Sequence, residues 1–433
     1  MHGLDLELHA ALTSLRQAGL ERQLRRADSP QGTELVLEGR RVLNFGSNDY
    51  LGLANHPAVK QAAIQAVTDF GAGAGAARLL CGSMAPHHQL EEALAAFKGT
   101  EAALTFSSGY ATGLGCIPAL VGRGDVVILD KLAHACLVDA ARLSGATLRV
   151  FAHNDLEDLE AKLRWATAGS GTHRARPSAP SPQLDDPSGA EAGLGPHVAA
   201  KRPRVLVVTE SIFSMDGDAA PLRELVELKD RYGAWLLVDE AHATGLYGPQ
   251  GSGLAQAFGV AERIEVHMGT LSKALGAAGG YIAGSKVLIQ YLVNRARSFM
   301  FSTAPMPAAA AAARAALQLV QSEEGQRRRT QLWARVSQIR SCLAKLGWPL
   351  AEQASPILPL RVGSEQRAVE LAAALWARGI YVPAIRYPTV ARGQARLRLS
   401  VSAAHTGADL EQLDRALTAL GGPDSNLSDA SAG

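Results

Sequence analysis

Along the chain, short apolar runs alternate with longer stretches in which apolar and polar positions recur at helical spacing. The clearest runs are Ala103–Ser107 (ALTFS), Asp125–Leu129 (DVVIL), Val205–Thr209 (VLVVT), Trp235–Val238 (WLLV) and Gly280–Ala283 (GYIA). Strands alternating with helices predict βα units and a mostly parallel sheet. Each run is followed by polar or glycine-containing residues, and in an open α/β sheet ligands collect at the carboxyl ends of strands. The last part reads differently: helical Ala308–Leu346, strand-like Ile357–Val362, helical Ala368–Arg378, strand-like Ile380–Ala384 and then Ala395–Val401. That order predicts a smaller α+β domain after the large one.

The segment 167–200 breaks the pattern: it is rich in Pro, Ser, Gly and Ala and lacks Ile, Phe, Tyr and Trp. Such a stretch cannot bury enough apolar surface to offset its ordering entropy and is expected to be a disordered surface insertion. The tail 421–433 is expected to be flexible as well.

Composition narrows the function classes. Across 433 residues, Lys+Arg 43 against Asp+Glu 41 leave a formal charge of +2, too small a field to attract an anionic polymer, so neither nucleic acid nor a membrane surface is expected as partner. Cys81, Cys116, Cys136 and Cys342 lie far apart with no C-x-x-C pair, which predicts no zinc site and no disulfide framework. The first residues, MHGLDLELHAAL, do not read as a signal peptide, and no apolar run approaches the roughly 18 residues of a membrane span. A cytoplasmic protein without a metal is expected.

Several strand ends carry chemistry. In WLLVDEAHATG (235–245) a buried strand ends in Asp239, with His242 three residues on. A carboxylate there either caps the next helix or pairs with something cationic, such as a metal or a protonated heterocycle. In GTLSKALGAAGG (269–280) Lys273 sits among small residues and the hydroxyls of Thr270 and Ser272, a context in which desolvation frees an amine for nucleophilic work. TFSSGYATGLG (105–115) runs from strand through glycine into helix, so the Gly109–Tyr110 backbone offers a helix N-terminus to a phosphate. FGAGAGAARLLCG (70–82) lacks the third glycine of a dinucleotide fingerprint. His134 can stack on a flat ring or move a proton, Ser214 can bond a ring substituent, and Arg386, beside Thr389 in AIRYPTV (384–390), suits bidentate capture of a carboxylate. Each residue alone would more often be a cap, a turn or a solvated side chain. Their joint occurrence in this order composes a pyridoxal-phosphate site.

These motifs, with NFGSNDYLGLANHP (44–57), ESIFSMDGDAAPL (210–222), VDEAHATGLYGPQGSG (238–253) and RSFMFSTAPMP (297–307), resemble the α-oxoamine synthase family of fold-type I pyridoxal-phosphate enzymes. The resemblance implies a fold-type I transferase: a segment 1–45 with a helix and small strands, a large cofactor domain 46–295 and a C-terminal α+β domain 296–420. It implies that Lys273 holds the cofactor, Asp239 pairs with the ring nitrogen and His134 stacks on the ring. Ser214 and His242 would bond the ring oxygen, and Thr270, Gly109 and Tyr110 the phosphate. Arg386 would take an amino-acid carboxylate, with Asn48, Thr389 and Arg22 near substrate and Arg25 competing with Arg22. A homodimer is implied, in which Ser302 and Thr303 reach the neighbouring cofactor. The implied reaction is decarboxylative condensation of L-alanine with a pimeloyl thioester of CoA or a carrier protein. A glycine acyltransferase, an aminotransferase and a catalytically silent binding subunit are the alternatives. The family's usual H-A-S stands here as His134-Ala135-Cys136, and Tyr387 replaces a common proline.

Overall fold

The computed structural model describes residues 2–168 and 203–423, so nearly all of the 167–200 insertion, and the tail beyond 423, lie outside the described residues. Chain contacts divide it into two compact units: His56–Phe213 with Ala219–Glu324, and Met1–Asn55 with Ser214–Asp218 and Gly325–Gly433. These cuts differ from the expected ones at 45 and 295. Helix Pro307–Gln321 stays with the larger unit because its alanine-rich face packs on helices Pro57–Phe70 and Ala85–Lys98. The first 55 residues join the smaller unit because strand Arg40–Asn44 pairs in parallel with Ile380–Tyr381, a long-range contact that local pattern cannot announce.

The larger unit is built on seven strands in the spatial order Ala102–Phe106, Gly280–Gly284, Val266–Thr270, Trp235–Asp239, Val205–Glu210, Val126–Asp130 and Thr147–Phe151. All neighbours run parallel except Gly280–Gly284, which is antiparallel to both of its partners. The five expected strands are present with ends displaced by about one residue, the usual uncertainty of element ends. Every residue of Val126–Asp130 and Val205–Glu210 is buried, as parallel strands covered on both faces require. Val266–Thr270 and the edge strand Thr147–Phe151 carry weaker signals, the second because its outer positions face solvent. Leu104, Ile117, Leu129, Leu137, Val208, Leu237 and Ile282 belong to the core between this sheet and its helices.

Two helices start at the carboxyl ends of these strands with side-chain caps. Ser108 accepts the N–H of Ala111 at the head of Gly109–Leu120, and His134 accepts that of Cys136 at the head of Ala135–Leu143. The single helix expected over Ala308–Leu346 is instead two, Pro307–Gln321 and Glu323–Lys345, separated by Ser322 in an extended conformation.

In the smaller unit, Ile357–Gly363 and Ala384–Ile385 flank Ala395–Ser400 in an antiparallel sheet. The strand expected over Ile380–Ala384 is divided: its first two residues pair with Arg40–Asn44, and pairing with Ala395–Ser400 begins at Ala384. Pro383, which has no N–H to give a ladder, separates the two. Among the described residues no helix is long and apolar enough to cross a membrane.

Candidate functional site

Asp239 ends the central strand of the larger unit with a carboxylate that is 5 % exposed. It accepts the Ala241 N–H at 2.9 Å. Burial pushes its pKa above the usual carboxylate range, against the opposing pulls of Lys273, the Ala241 N–H and His134. The turn that follows carries His242, and it is pinned from beneath. Glu240 pairs with Lys98, both side chains being fully buried, and its Oε1 accepts the Ala255 N–H at 2.9 Å. Burial works against both charges, yet their mutual attraction prevails, raising Lys98 and lowering Glu240. Gly253, at φ 134°, lies so close that a Cβ there would stand 2.6 Å from the Glu240 carboxylate.

Lys273 lies on the loop between strands Val266–Thr270 and Gly280–Gly284. The loop is closed by Leu271 N–H to Gly279 O, Ala277 N–H to Leu271 O and Gly276 N–H to Lys273 O, with Gly276 and Gly279 at positive φ. This places the Lys273 Nζ 2.8 Å from His242 Nε2.

His134 Nδ1 accepts the Cys136 N–H at 3.3 Å and lies 3.1 Å from the Cys136 thiol. With Nδ1 an acceptor, a neutral ring carries its proton on Nε2. Burial first, and then the charge of Lys273, hold His134 below its ordinary pKa, which keeps the ring neutral. Burial holds the Cys136 thiol well above its ordinary pKa, so it is itself inert.

A polar corner forms beside these groups. The first turn of Gly109–Leu120 leaves the N–H groups of Gly109 and Tyr110 without intrahelical acceptors. A Cβ at Gly109 would lie 3.6 Å from the Thr270 hydroxyl, which is 2.8 Å from that of Ser272. Gly280, facing both Phe106 and Thr270 across the sheet, makes the approach possible: a Cβ there would stand 2.8 Å from Gly109 N. Tyr110 extends outward and donates its hydroxyl to Asp139 at 2.6 Å.

The larger unit therefore brings Gly109, Tyr110, His134, Asp239, His242, Thr270 and Lys273 to one end of its sheet. Ser214, Asn48, Arg22, Arg386 and Thr389 belong to the smaller unit. There Arg22 donates to Tyr387 O at 3.1 Å and Arg386 to Gly19 O. Partial burial, then the charge of Arg22, lower the Arg386 pKa slightly offset by Glu365, so two guanidinium groups stand close enough to repel. Thr389 follows in the same turn, its N–H bonded to Arg386 O. Arg25, the competitor of Arg22, instead lies over the Trp376 ring at 4.4 Å and near Glu38. Ser302 and Thr303 lie in the larger unit, where the Ser302 hydroxyl donates to Thr303 O.

Two residues escaped the sequence reading. Arg398, buried, donates to Ser214 O at 2.6 Å, to Asn48 Oδ1 at 3.0 Å and to the Tyr50 hydroxyl at 3.2 Å, tying together chain segments far apart in sequence. Glu210 ends the strand next to Asp239 and is 2 % exposed. Its position at the end of an apolar run was the available signal, the same one that singled out Asp239.

The model of the aminotransferase class I and II family matches residues 40–417. The chain is 49 % identical over 411 residues to the 8-amino-7-oxononanoate synthase of Anaeromyxobacter dehalogenans (strain 2CP-1 / ATCC BAA-258), covering 95 % of this chain and 94 % of that one. It is 46 % identical to the enzyme of the same name from Geobacter sulfurreducens, covering 95 % and 96 %. Among solved structures, a serine palmitoyltransferase with pyridoxal phosphate superposes with a TM-score of 0.82 at 30 % identity over 95 % of each chain. The 8-amino-7-oxononanoate synthase of Francisella tularensis superposes at 0.67 with 25 % identity, covering 87 % of this chain and 96 % of that one.

Proposed function

Since the chain belongs to the class I and II aminotransferase family and, within it, to the 8-amino-7-oxononanoate synthases, we propose that it condenses L-alanine with a pimeloyl thioester, using pyridoxal phosphate. The products are 8-amino-7-oxononanoate, CO₂ and the free thiol, as in biotin biosynthesis. The observation that carries this reading is the Lys273 amine held against His242, beside a buried carboxylate, at the carboxyl end of a parallel sheet.

The residues fit the cofactor on their own chemistry. Asp239 is a buried carboxylate that accepts a backbone N–H from Ala241, and it suits a protonated ring nitrogen as its cationic partner. The corner of Gly109, Tyr110 and Thr270 offers N–H and hydroxyl donors at a helix N-terminus, which suits a phosphate. When bound, pyridoxal phosphate supplies an electron-withdrawing ring that acidifies the amino-acid α-carbon.

Lys273 Nζ would hold the cofactor and, as a free amine, would take the α-proton of L-alanine. His242 Nε2, 2.8 Å from that Nζ, would share a hydrogen bond with it and orient it toward the α-proton. Asp239 would act electrostatically, as the negative partner of the ring nitrogen. His134, a neutral ring with its proton on Nε2, would stack on the cofactor ring and offer a donor for the later proton transfers. Ser214, with His242, serves the ring oxygen. Arg386 and Arg22 supply the positive charge for substrate carboxylates, with Thr389 beside them. Asn48, whose Oδ1 is taken by Arg398 and Tyr50, keeps its amide N–H groups for substrate.

We place the enzyme in the cytoplasm as a homodimer, with Ser302 and Thr303 reaching the neighbour's cofactor. In support, helix Gly3–Gln17 buries no residue and exposes Leu4, Leu8, Leu12 and Leu15, and Leu80 and Phe301 are also exposed. Light scattering on purified protein reads the dimer directly.

The decisive experiment measures CO₂ and thiol release from L-alanine and from glycine against acyl thioesters of increasing length, on CoA and on carrier protein. Alanine with a pimeloyl thioester is the expected productive pair. Glycine with acetyl-CoA as the sole productive pair overturns the assignment in favour of a glycine acyltransferase, and amino transfer without CO₂ marks an aminotransferase.

A further inference from the structure

Asp239 is not the only carboxyl in the floor of the site. Glu210 stands directly beside it in the parallel ladder, so both side chains leave the sheet on the same face. The Glu210 carboxyl accepts the backbone N–H of His134, but its Oε1 is buried with no hydrogen-bond partner among the described residues. No cation forms an ion pair with it there, in contrast to Glu240, which has Lys98, and Glu91, which has Arg78. Two anions side by side in a buried floor, one of them lacking a counter-charge, are strongly unfavourable; such pairs hold one proton between them.

The groups around Glu210 decide which carboxyl keeps the proton. Asp239 flanks it on one side and Asp130, itself engaged by His153, on the other, while Lys273, His134 and Cys136 complete the surroundings. Lys273 and His134 both favour an ionised Asp239. Glu210 receives less help: burial, then Asp239, push its carboxyl up to about 8, with Lys273 opposing.

We propose that Glu210 is a positioning residue of the cofactor site that stands as a neutral carboxylic acid beneath His134, leaving Asp239 as the sole negative charge under the ring. The inference rests on the cofactor reading above. Its consequence is a limit on the alkaline side: once Glu210 ionises, a second negative charge beside Lys273 and His134 opposes binding of the anionic cofactor and of a substrate carboxylate. It also explains why a carboxyl can occupy this place without doing what Asp239 does.

The experiment measures the cofactor dissociation constant between pH 6.5 and 9.5, by equilibrium dialysis, in wild type and in Glu210→Gln, whose amide imitates the neutral acid. Wild-type binding is expected to weaken about tenfold from pH 7 to 9, since each pH unit beyond a titration is a factor of ten. Glu210→Gln is expected to match wild type at pH 7 and to lack that weakening. A Glu210→Gln protein that loses cofactor tenfold at pH 7, or that keeps the wild-type pH dependence, overturns the proposal. If the variant does not fold, wild-type holoenzyme carrying ¹³C at the glutamate δ-carbon is titrated by NMR. One glutamate carboxyl titrating near neutral-to-alkaline pH supports the proposal, and none overturns it. Wild type that takes up no cofactor at all refutes the underlying cofactor reading, a result distinct from every outcome for Glu210.

Discussion

The Nζ of Lys273 and the Nε2 of His242 lie 2.8 Å apart, two basic groups that share a hydrogen bond. One of the two must accept, so a lysine ammonium and a histidine imidazolium do not face each other in this geometry. A neutral His242 can take that hydrogen bond from Lys273 and so orients the lysine nitrogen for nucleophilic work. Lys273→Ala is therefore expected to reduce turnover by about 10³-fold or more and to abolish the visible band of the bound cofactor. Because the side chain is only half-buried, the melting temperature of the cofactor-free protein should change little. Turnover retained within tenfold would sink the assignment.

Asp239→Asn tests the electrostatic role. The amide keeps the shape and can still accept the Ala241 N–H, but it removes the charge. Turnover should fall by about 10²-fold or more, and cofactor affinity should fall with it. An unchanged rate at saturating cofactor would show that the reaction does not need the charge of Asp239.

The Arg386 guanidinium, crowded by Arg22, is poised for an anion. Arg386→Ala should raise the KM for L-alanine by about 30-fold, equivalent to about 2 kcal/mol, with cofactor affinity intact. Arg386→Lys should recover only part of the loss, because a point charge does not reproduce the planar fork. Steady-state kinetics over alanine concentration separates these outcomes from a folding defect.

The Lys98–Glu240 pair makes a stability prediction. Lys98→Met leaves the Glu240 carboxylate buried without its cation, which costs about 3–5 kcal/mol, read as a lowered midpoint in denaturant. Since Glu240 also pins the turn bearing His242, cofactor affinity should fall in the same variant.

The two floor carboxyls impose a pH dependence on the cofactor-free protein. A carboxyl whose folded pKa is raised binds more protons folded than unfolded, so its contribution is full below the unfolded value and lost as pH rises through the folded one. For Glu210 that interval runs from its ordinary 4.5 to about 8, and Asp239 adds to it with the same sign. Stability of the cofactor-free enzyme should therefore decline across that range, and Glu210→Gln should decline less. Denaturant midpoints at pH 5, 6.5 and 8 measure it.

The strands, the loop glycines and most groups at the strand ends were legible in the sequence because each is announced locally. Asp239 and Lys273 stand where an apolar run gives way to small and polar residues. Glu210 stands in such a place too, but what makes it chemical is its register with Asp239, a relation between strands that no local pattern contains. The same holds for Lys98 and Glu240, and for Arg398, which meets Asn48, Tyr50 and Ser214 only after the smaller unit has folded. The break at Ser322 was missed because both flanking helices are rich in good helix formers, so composition alone joins them.

The antiparallel strand Gly280–Gly284 has a consequence for biosynthesis. Among the described residues it is the only strand paired with Ala102–Phe106, which leads into Gly109 and Tyr110, and it joins that strand to the one ending at Thr270. A nascent chain on the ribosome carries Gly109 and Tyr110 long before Gly280 has been made, and until then their strand has no place in the ladder. The corner formed by Gly109 and Thr270 is thus closed late in translation, and a truncated chain ending before Gly280 lacks the strand that joins its two sides.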